Sequence, residues 1–256
     1  MLELAQRAVD AHGGMDLWEG AAEIRIELSS GGLAFASKLQ GSAVRGTQVR
    51  ISTTEQRVSF EGFPTKGRRG VLEPGGSVQI ETNAGEILER REDPRSLFSD
   101  LRHRIRWDKM DILYFGTCAI WTYLSTPFVL ASDGYELSEL GPWEEDGELW
   151  ERLGVRFPSS IHTHSAEQVF YIDSQGLIRR HDYTAEPIGS WARAAHFCTE
   201  HKTFDGLVVA THRRVYPRRA DNHRRPHPRL VWIDVPTAAV VSQNEDGGGA
   251  HYLLDS

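Results

Sequence analysis

Four histidines stand close together near the end of the chain, at positions 181, 196, 201 and 212, with Asp182, Tyr183 and Glu200 interleaved. An imidazole titrates near neutrality, so beside a phenol it can pass a proton to or from a bound molecule. His181, Tyr183, His201 and His212 are therefore the candidate acid/base groups. For each, the plainer alternative is a half-buried strand residue satisfied by cross-strand hydrogen bonds. His162-Thr163-His164 has the spacing of paired metal ligands on a strand, but no third ligand follows at a recognisable spacing. No metal is expected. No glycine-rich phosphate loop joins a strand to a helix, and neither a GxSxG nor an HExxH motif occurs. No cofactor is expected, and the commonest hydrolase signatures are missing.

The histidines must be positioned by strands. Segments Leu149–Phe157, Gln168–Ile172, Leu177–Thr184, Ala195–Phe204, Leu207–Tyr216 and Leu230–Val235 read as one antiparallel meander. A four-residue turn, Asp173–Gly176, would set Ile172 opposite Leu177 and put Phe170, His181 and Tyr183 on one face. That face is the more apolar near the turn and is assigned to the concave side. The two-residue turn Asp205-Gly206 would pair Phe204 with Leu207. Phe197, Thr199, His201, Ala210, His212, Arg214 and Tyr216 then share the inward face. His196, Cys198, Glu200, Lys202, Thr211 and Arg213 take the outward one, although a one-residue bulge would swap the sets.

The first half repeats the pattern. A short amphipathic helix around Leu4, Ala8 and Ala11 stops at Gly13-Gly14, with His12 capping its last turn. Strands follow at Ile24–Leu28, Leu33–Leu39, Val49–Thr53, Val58–Phe60, Val78–Thr82 and Glu86–Arg90, and the Gly/Pro-rich stretches between them read as loops. The alternation breaks over about 94–131, a helical insert. Leu97, Leu101 and Ile105 mark a helix over Arg95–Arg104. Asp108 then has the look of an N-cap with Asp111 as its box partner. From Met110 to Leu124 the chain is apolar on nearly every side, and such a helix must be buried on more than one side. Its natural place is inside the curve of the sheet. Tyr114, Trp121 and Phe128 would then line a ligand pocket with Phe197 and Tyr216.

At 256 residues with net charge −7, the chain can bury a core without staples, and it is a poor partner for nucleic acid or anionic membranes. Cys118 and Cys198 form no CxxC pair and read as free buried thiols. Met1–Ala5 shows no basic n-region or long apolar run, so export is not expected and a cytoplasmic protein is. One domain spans 1–242, followed by a polar, Gly-rich flexible tail over 243–256.

Ala11-His12-Gly13-Gly14, Phe170-Tyr171-Ile172-Asp173, Gly176–Arg180, Phe204-Asp205-Gly206 and Thr211–Tyr216, in this order around a hydrophobic helical insert, resemble the LolA/LolB-like superfamily. The resemblance implies a mainly β fold, an incomplete antiparallel barrel with helices packed in or over its concave side. The family includes periplasmic lipoprotein carriers and a cytosolic, cofactor-free enzyme of pigment biosynthesis. Without a recognisable leader, the expected function is that of a cofactor-independent cyclase, isomerase or lyase acting on a hydrophobic small molecule. The alternative is a non-catalytic carrier or binding protein for a lipid or other apolar ligand.

Overall fold

The structure is a computed structural model, and it describes residues 1–36, 44–98, 100 and 106–243. The 244–256 part of the tail, positions 99 and 101–104 of the helix expected over Arg95–Arg104, and positions 37–39 of the strand expected over Leu33–Leu39 lie outside the described residues. Helices α1 (Glu3–Ala11) and α2 (Met15–Gly20) lead into β1 (Ala21–Gly31). Next come α3 (Leu33–Ala36), β2 (Val44–Ser52), β3 (Val58–Glu61), β4 (Arg68–Leu72), β5 (Val78–Thr82) and β6 (Ile87–Arg91). Then α4 (Pro94–Leu97), α5 (Lys109–Ser125) and a 3-10 turn (Phe128–Ala131) cross to β7 (Glu136–Glu145). The chain returns through β8 (Glu148–Arg156), β9 (Glu167–Ile172), β10 (Ile178–Thr184), β11 (Arg193–Phe204), β12 (Leu207–Pro217) and β13 (Val231–Ser242).

All thirteen strands form one antiparallel sheet in the order 6-5-4-3-2-1-13-12-11-10-9-8-7. Its two edges, β6 and β7, do not pair, so the barrel is incomplete. The first and last of the described strands meet mid-sheet instead, where β1 and β13 align Ile24 with Val240 and Ile26 with Ala238. The helical crossover joins one edge to the other and covers the inner face.

Helix α5 is set by its own sequence. Asp108 accepts from the Met110 and Asp111 amides, and the Asp111 carboxylate accepts from the Asp108 amide, the capping box expected from this spacing. Its hydroxyls can be buried because each donates back to the preceding turn: Thr117 to Leu113, Thr122 to Cys118 and Ser125 to Trp121. Two opposite stripes are buried, one of Tyr114, Cys118 and Trp121, the other of Ala119, Ile120 and Tyr123.

Several elements differ from the sequence reading. Leu33–Ala36 is a helical turn rather than the start of a strand over Leu33–Leu39. A second short helix, Met15–Gly20, fills the stretch between the Gly13-Gly14 stop and the first strand. Strand β4 was hidden among glycines, and Gly70 explains why one is there: a Cβ would lie 2.5 Å from Leu113 Cδ1 of α5. Strand β7, ahead of the first strand read at Leu149, was also missed, and it pairs with β8 through Glu145↔Glu148 so that Asp146-Gly147 make the turn.

Candidate functional site

Between α5 and the inner face of the sheet lies a cavity of about 420 Å³. The α5 stripe Ile112, Phe115, Gly116, Ala119, Ile120 and Tyr123 forms one wall. The other comes from the sheet and its loops, including Leu28, Phe60, Phe63, Ile188, Val215 and Ile233. This volume lies within the range of small-molecule sites, roughly 300–1,000 Å³. The wall is mostly apolar, with Ser30, Thr47 and Lys109 among its polar members. Deep within it, the Tyr123 and Tyr183 hydroxyls are 3.0 Å apart and hydrogen-bond to each other.

Behind that pair lies a buried aromatic cluster. The Tyr123 ring meets His196 edge-on at 4.6 Å, His164 at 5.5 Å and His181 at 5.7 Å. His164 packs against Tyr183 at 4.2 Å, and His181 stacks on Phe170 at 4.3 Å. Gln168 donates its amide hydrogens to Thr163 Oγ1 and the Ser165 carbonyl. Its oxygen is thereby turned to His181 Nε2, which must carry the proton. Neither ring nitrogen of His164 or His196 has a hydrogen-bond partner among the described residues.

Burial makes the cluster neutral. It lowers His164 to about 3 and drives His181 and His196 well below the usual imidazole range, assisted by the nearby Arg213 charge. It pushes Tyr123 up to about 12 and Tyr183 well above the normal phenol range. A general acid or base works best with its pKa near the operating pH. Near neutral pH the imidazoles are therefore uncharged and the phenols protonated, so the cluster presents neutral hydrogen-bonding groups.

The expected site residues separate into several places. His181 and Tyr183 face inward with Phe170, as expected, although through a different register. Ile172 pairs with Ile178 rather than Leu177, and a bulge at Arg179 then brings His181 opposite Phe170. On β11 and β12, Phe204 does pair with Leu207, but the faces are reversed. His196, Cys198 and Arg213 point into the interior, while Phe197, His212, Arg214 and Tyr216 lie on the convex side. The polar set is inward because α5 offers it partners there: Arg213 donates to the Tyr123 carbonyl at 3.0 Å and to Cys198 Sγ at 3.2 Å.

His212 is half-exposed and pairs with Glu200 at 2.6 Å. Phe197 and Tyr216 carry the Arg224 guanidinium on the convex side, at 4.9 and 5.5 Å from their ring centres. His201 stands apart from the cluster. Glu200 takes φ 53° and interrupts the alternation, and His201 comes within 6.1 Å of the His12 ring at the end of α1. Nor do Tyr114, Trp121 and Phe128 line the large cavity. Tyr114 and Trp121 occupy the opposite stripe of α5, where the Tyr114 hydroxyl meets His162 Nδ1 at 3.0 Å. Phe128 stacks on Trp18 at 4.6 Å.

His162 and His164 diverge, one to Tyr114 and the other into the cluster. Among the described residues no three His, Cys, Asp or Glu side chains are placed to hold a metal ion. Sequence reasoning passed over His164 and turned His196 outward. The signal that would have recovered them is the tyrosine at 123, the one hydroxyl-bearing ring on the cavity stripe of α5.

No protein-family model matches the chain, and no curated protein matches it in sequence. Solved structures do match over nearly its whole length. A LolA superfamily protein from Nitrosomonas europaea superposes with a TM-score of 0.53 at 10% identity, covering 97% of this chain and 99% of that one. A putative outer membrane lipoprotein-sorting protein domain from Vibrio parahaemolyticus gives 0.53 at 8% identity, covering 95% and 94%. The fold is LolA-like. A DUF1329 family protein from Desulfovibrio piger shares the LolA-like architecture at a TM-score of 0.52 and 14% identity, covering 93% and 94%. At these identities the likeness is one of fold.

Proposed function

We propose that the protein binds and carries an apolar small molecule in the cavity under α5. The observation that carries this reading is the cavity itself: about 420 Å³, walled mainly by aliphatic and aromatic side chains. The Tyr123–Tyr183 hydroxyl pair would meet one polar group of the ligand at its inner end. Leu33 and Trp191 are 54% and 76% exposed, and each adjoins a residue of the cavity wall, Ala34 and Ala192. Apolar groups at such a mouth would ease transfer from another apolar surface. Two of the compared structures are a LolA superfamily protein and a putative outer membrane lipoprotein-sorting protein domain, which agrees with a carrier.

The cyclase, isomerase or lyase reading has less behind it. Of its four acid/base candidates, His181 and Tyr183 are held neutral by burial, His201 stands elsewhere, and His212 is on the convex face. The test is to fill the cavity. Ala119→Trp should weaken binding of a neutral fluorescent naphthylamine about tenfold or more while the circular dichroism spectrum is unchanged. A dye that binds the folded variant as well as the parent protein would place the ligand elsewhere.

A further inference from the structure

On the convex side, strands β2, β1, β13, β12 and β11 carry an open recess of about 490 Å³. Ser29, Arg45, Lys202, Arg214, Arg229 and Trp232 are among the residues that line it. Asp234, the one carboxylate in the lining, is held by Arg214 at 2.7 Å, and His212 is held by Glu200 at 2.6 Å. Arg45, Lys202 and Arg229 are exposed, and no Asp or Glu side chain pairs with any of them among the described residues. Elsewhere on the surface, exposed arginines find carboxylates close by: Arg57 takes Glu73 at 2.8 Å, and Arg156 takes Glu167. The recess therefore concentrates unmatched positive charge on a chain whose net charge is −7.

The spacing of the cations says what fits. Arg45 is on β2, Arg229 just precedes β13, and Lys202 is on β11. From β2 to β11 is four strand spacings, roughly 19 Å. A single small anion meets one of these cations at a time, whereas an extended peptide of about six residues spans the set. The half-buried Trp232 ring, with the Arg45 guanidinium 5.6 Å from its centre, adds an apolar contact between them. A flat anionic bilayer would touch only the rim of a recess. A single-stranded nucleic acid would find one indole to stack on and would lay closely spaced phosphates against Asp234. Beyond about 8 Å, physiological salt screens the repulsion from the rest of the chain, so the local cations decide what docks.

We propose that this recess is the docking site for an extended acidic segment of a partner protein, whose carboxylates pair with Arg45, Arg229 and Lys202 across the Trp232 indole. Strand alternation fixes where the partner is held. Ser30, Val44 and Val231 line the ligand cavity, and their chain neighbours Ser29, Arg45 and Trp232 line the recess. The partner thus sits on the outside of strands that wall the cavity. Docking stands on the charges and does not depend on what the cavity carries.

The probe is a fluorescein-labelled peptide of alternating glutamate and glycine, about ten residues long, followed by fluorescence anisotropy. It should bind the parent protein, and about fivefold more weakly in 500 mM than in 50 mM sodium chloride. Arg45→Glu and Lys202→Glu should each weaken binding about fivefold, and the double variant about twentyfold, with circular dichroism spectra unchanged. Arg156→Glu makes the same change of net charge away from the recess and should alter binding by less than about twofold. Carbodiimide treatment should cross-link the peptide to Lys202. A parent protein that does not bind the peptide, a folded double variant that binds it as well, or cross-links confined to other lysines would overturn the proposal. So would displacement of the peptide by equimolar pyrophosphate, which would make the recess a small-anion site. Tighter binding of phosphatidylglycerol vesicles or of oligothymidylate would overturn it in favour of a membrane or a nucleic acid.

Discussion

Arg180 and His181 are neighbours on β10 and both are fully buried, yet they lie in opposite kinds of interior. On the convex side, Arg180 donates to both oxygens of Asp182 at 2.8 Å and to Glu145, and it packs on the Tyr171 ring at 4.6 Å. Arg218 adds a contact to Asp182 at 3.5 Å, and Asn222 closes the loop over the pair. On the concave side, His181, His196 and His164 are neutral, and two of the three have no hydrogen-bond partner among the described residues. One interior is dense with matched charge. The other keeps polar capacity unspent. The difference teaches that burial alone does not mark a site, since the finished network is structural and the unfinished one faces the cavities.

Breaking the finished network should cost most. Arg180→Met leaves Asp182 and Glu145 buried without their partner and should lower the unfolding free energy by about 3–5 kcal/mol, read by guanidinium chloride denaturation. A loss below about 1 kcal/mol would mean that loop packing, rather than charge, closes the convex face. The concave side should respond to pH instead. The folded imidazoles bind protons less readily than unfolded ones, so below about pH 6.5 the unfolded chain takes up protons that the folded one refuses. Their stability is complete above that pH and is lost as the pH falls toward the folded values, about 3 for His164.

The loss should be roughly 1.4 kcal/mol per pH unit for each ring. His196→Gln should flatten the slope by one such increment between about pH 6 and pH 4, followed by urea denaturation. An unchanged slope would remove His196 from the neutral set. The smallest effect belongs to His212, which shares its strand with Arg213 but not its side of the sheet. His212→Ala should change stability by no more than about 0.5 kcal/mol and leave dye binding as it was. A large effect on dye binding would reverse the assignment of faces.

What the sequence made legible was local. The Asp108–Asp111 capping box, the all-round apolarity of α5 and the Phe204–Leu207 pairing are each written within a few residues. The open sheet was legible from alternation and turns. The face of β11 and β12 was not, because strand alternation says which residues go together, not which side they take. That choice is made by α5, whose Tyr123 carbonyl and ring receive Arg213 and His196 from strands far along the chain, 90 residues away for Arg213. Counting apolar residues favoured Phe197 and Tyr216, which bury themselves under Arg224 on the other side. Strand β4 escaped for a related reason, since its glycine answers to Leu113 and not to its own neighbours.

The pairing of β1 with β13 also has a consequence in time. Ile24 lies beside Val240, so the seam at the middle of the sheet joins residues separated by most of the chain. On the ribosome, the first half-sheet emerges with β1 as a bare edge and must wait for the strand that covers it. Unpaired edges invite pairing with other chains, and contacts so distant in sequence form slowly. Translation of Val231–Ser242 is thus the step that ends the exposure, because this strand joins the two half-sheets.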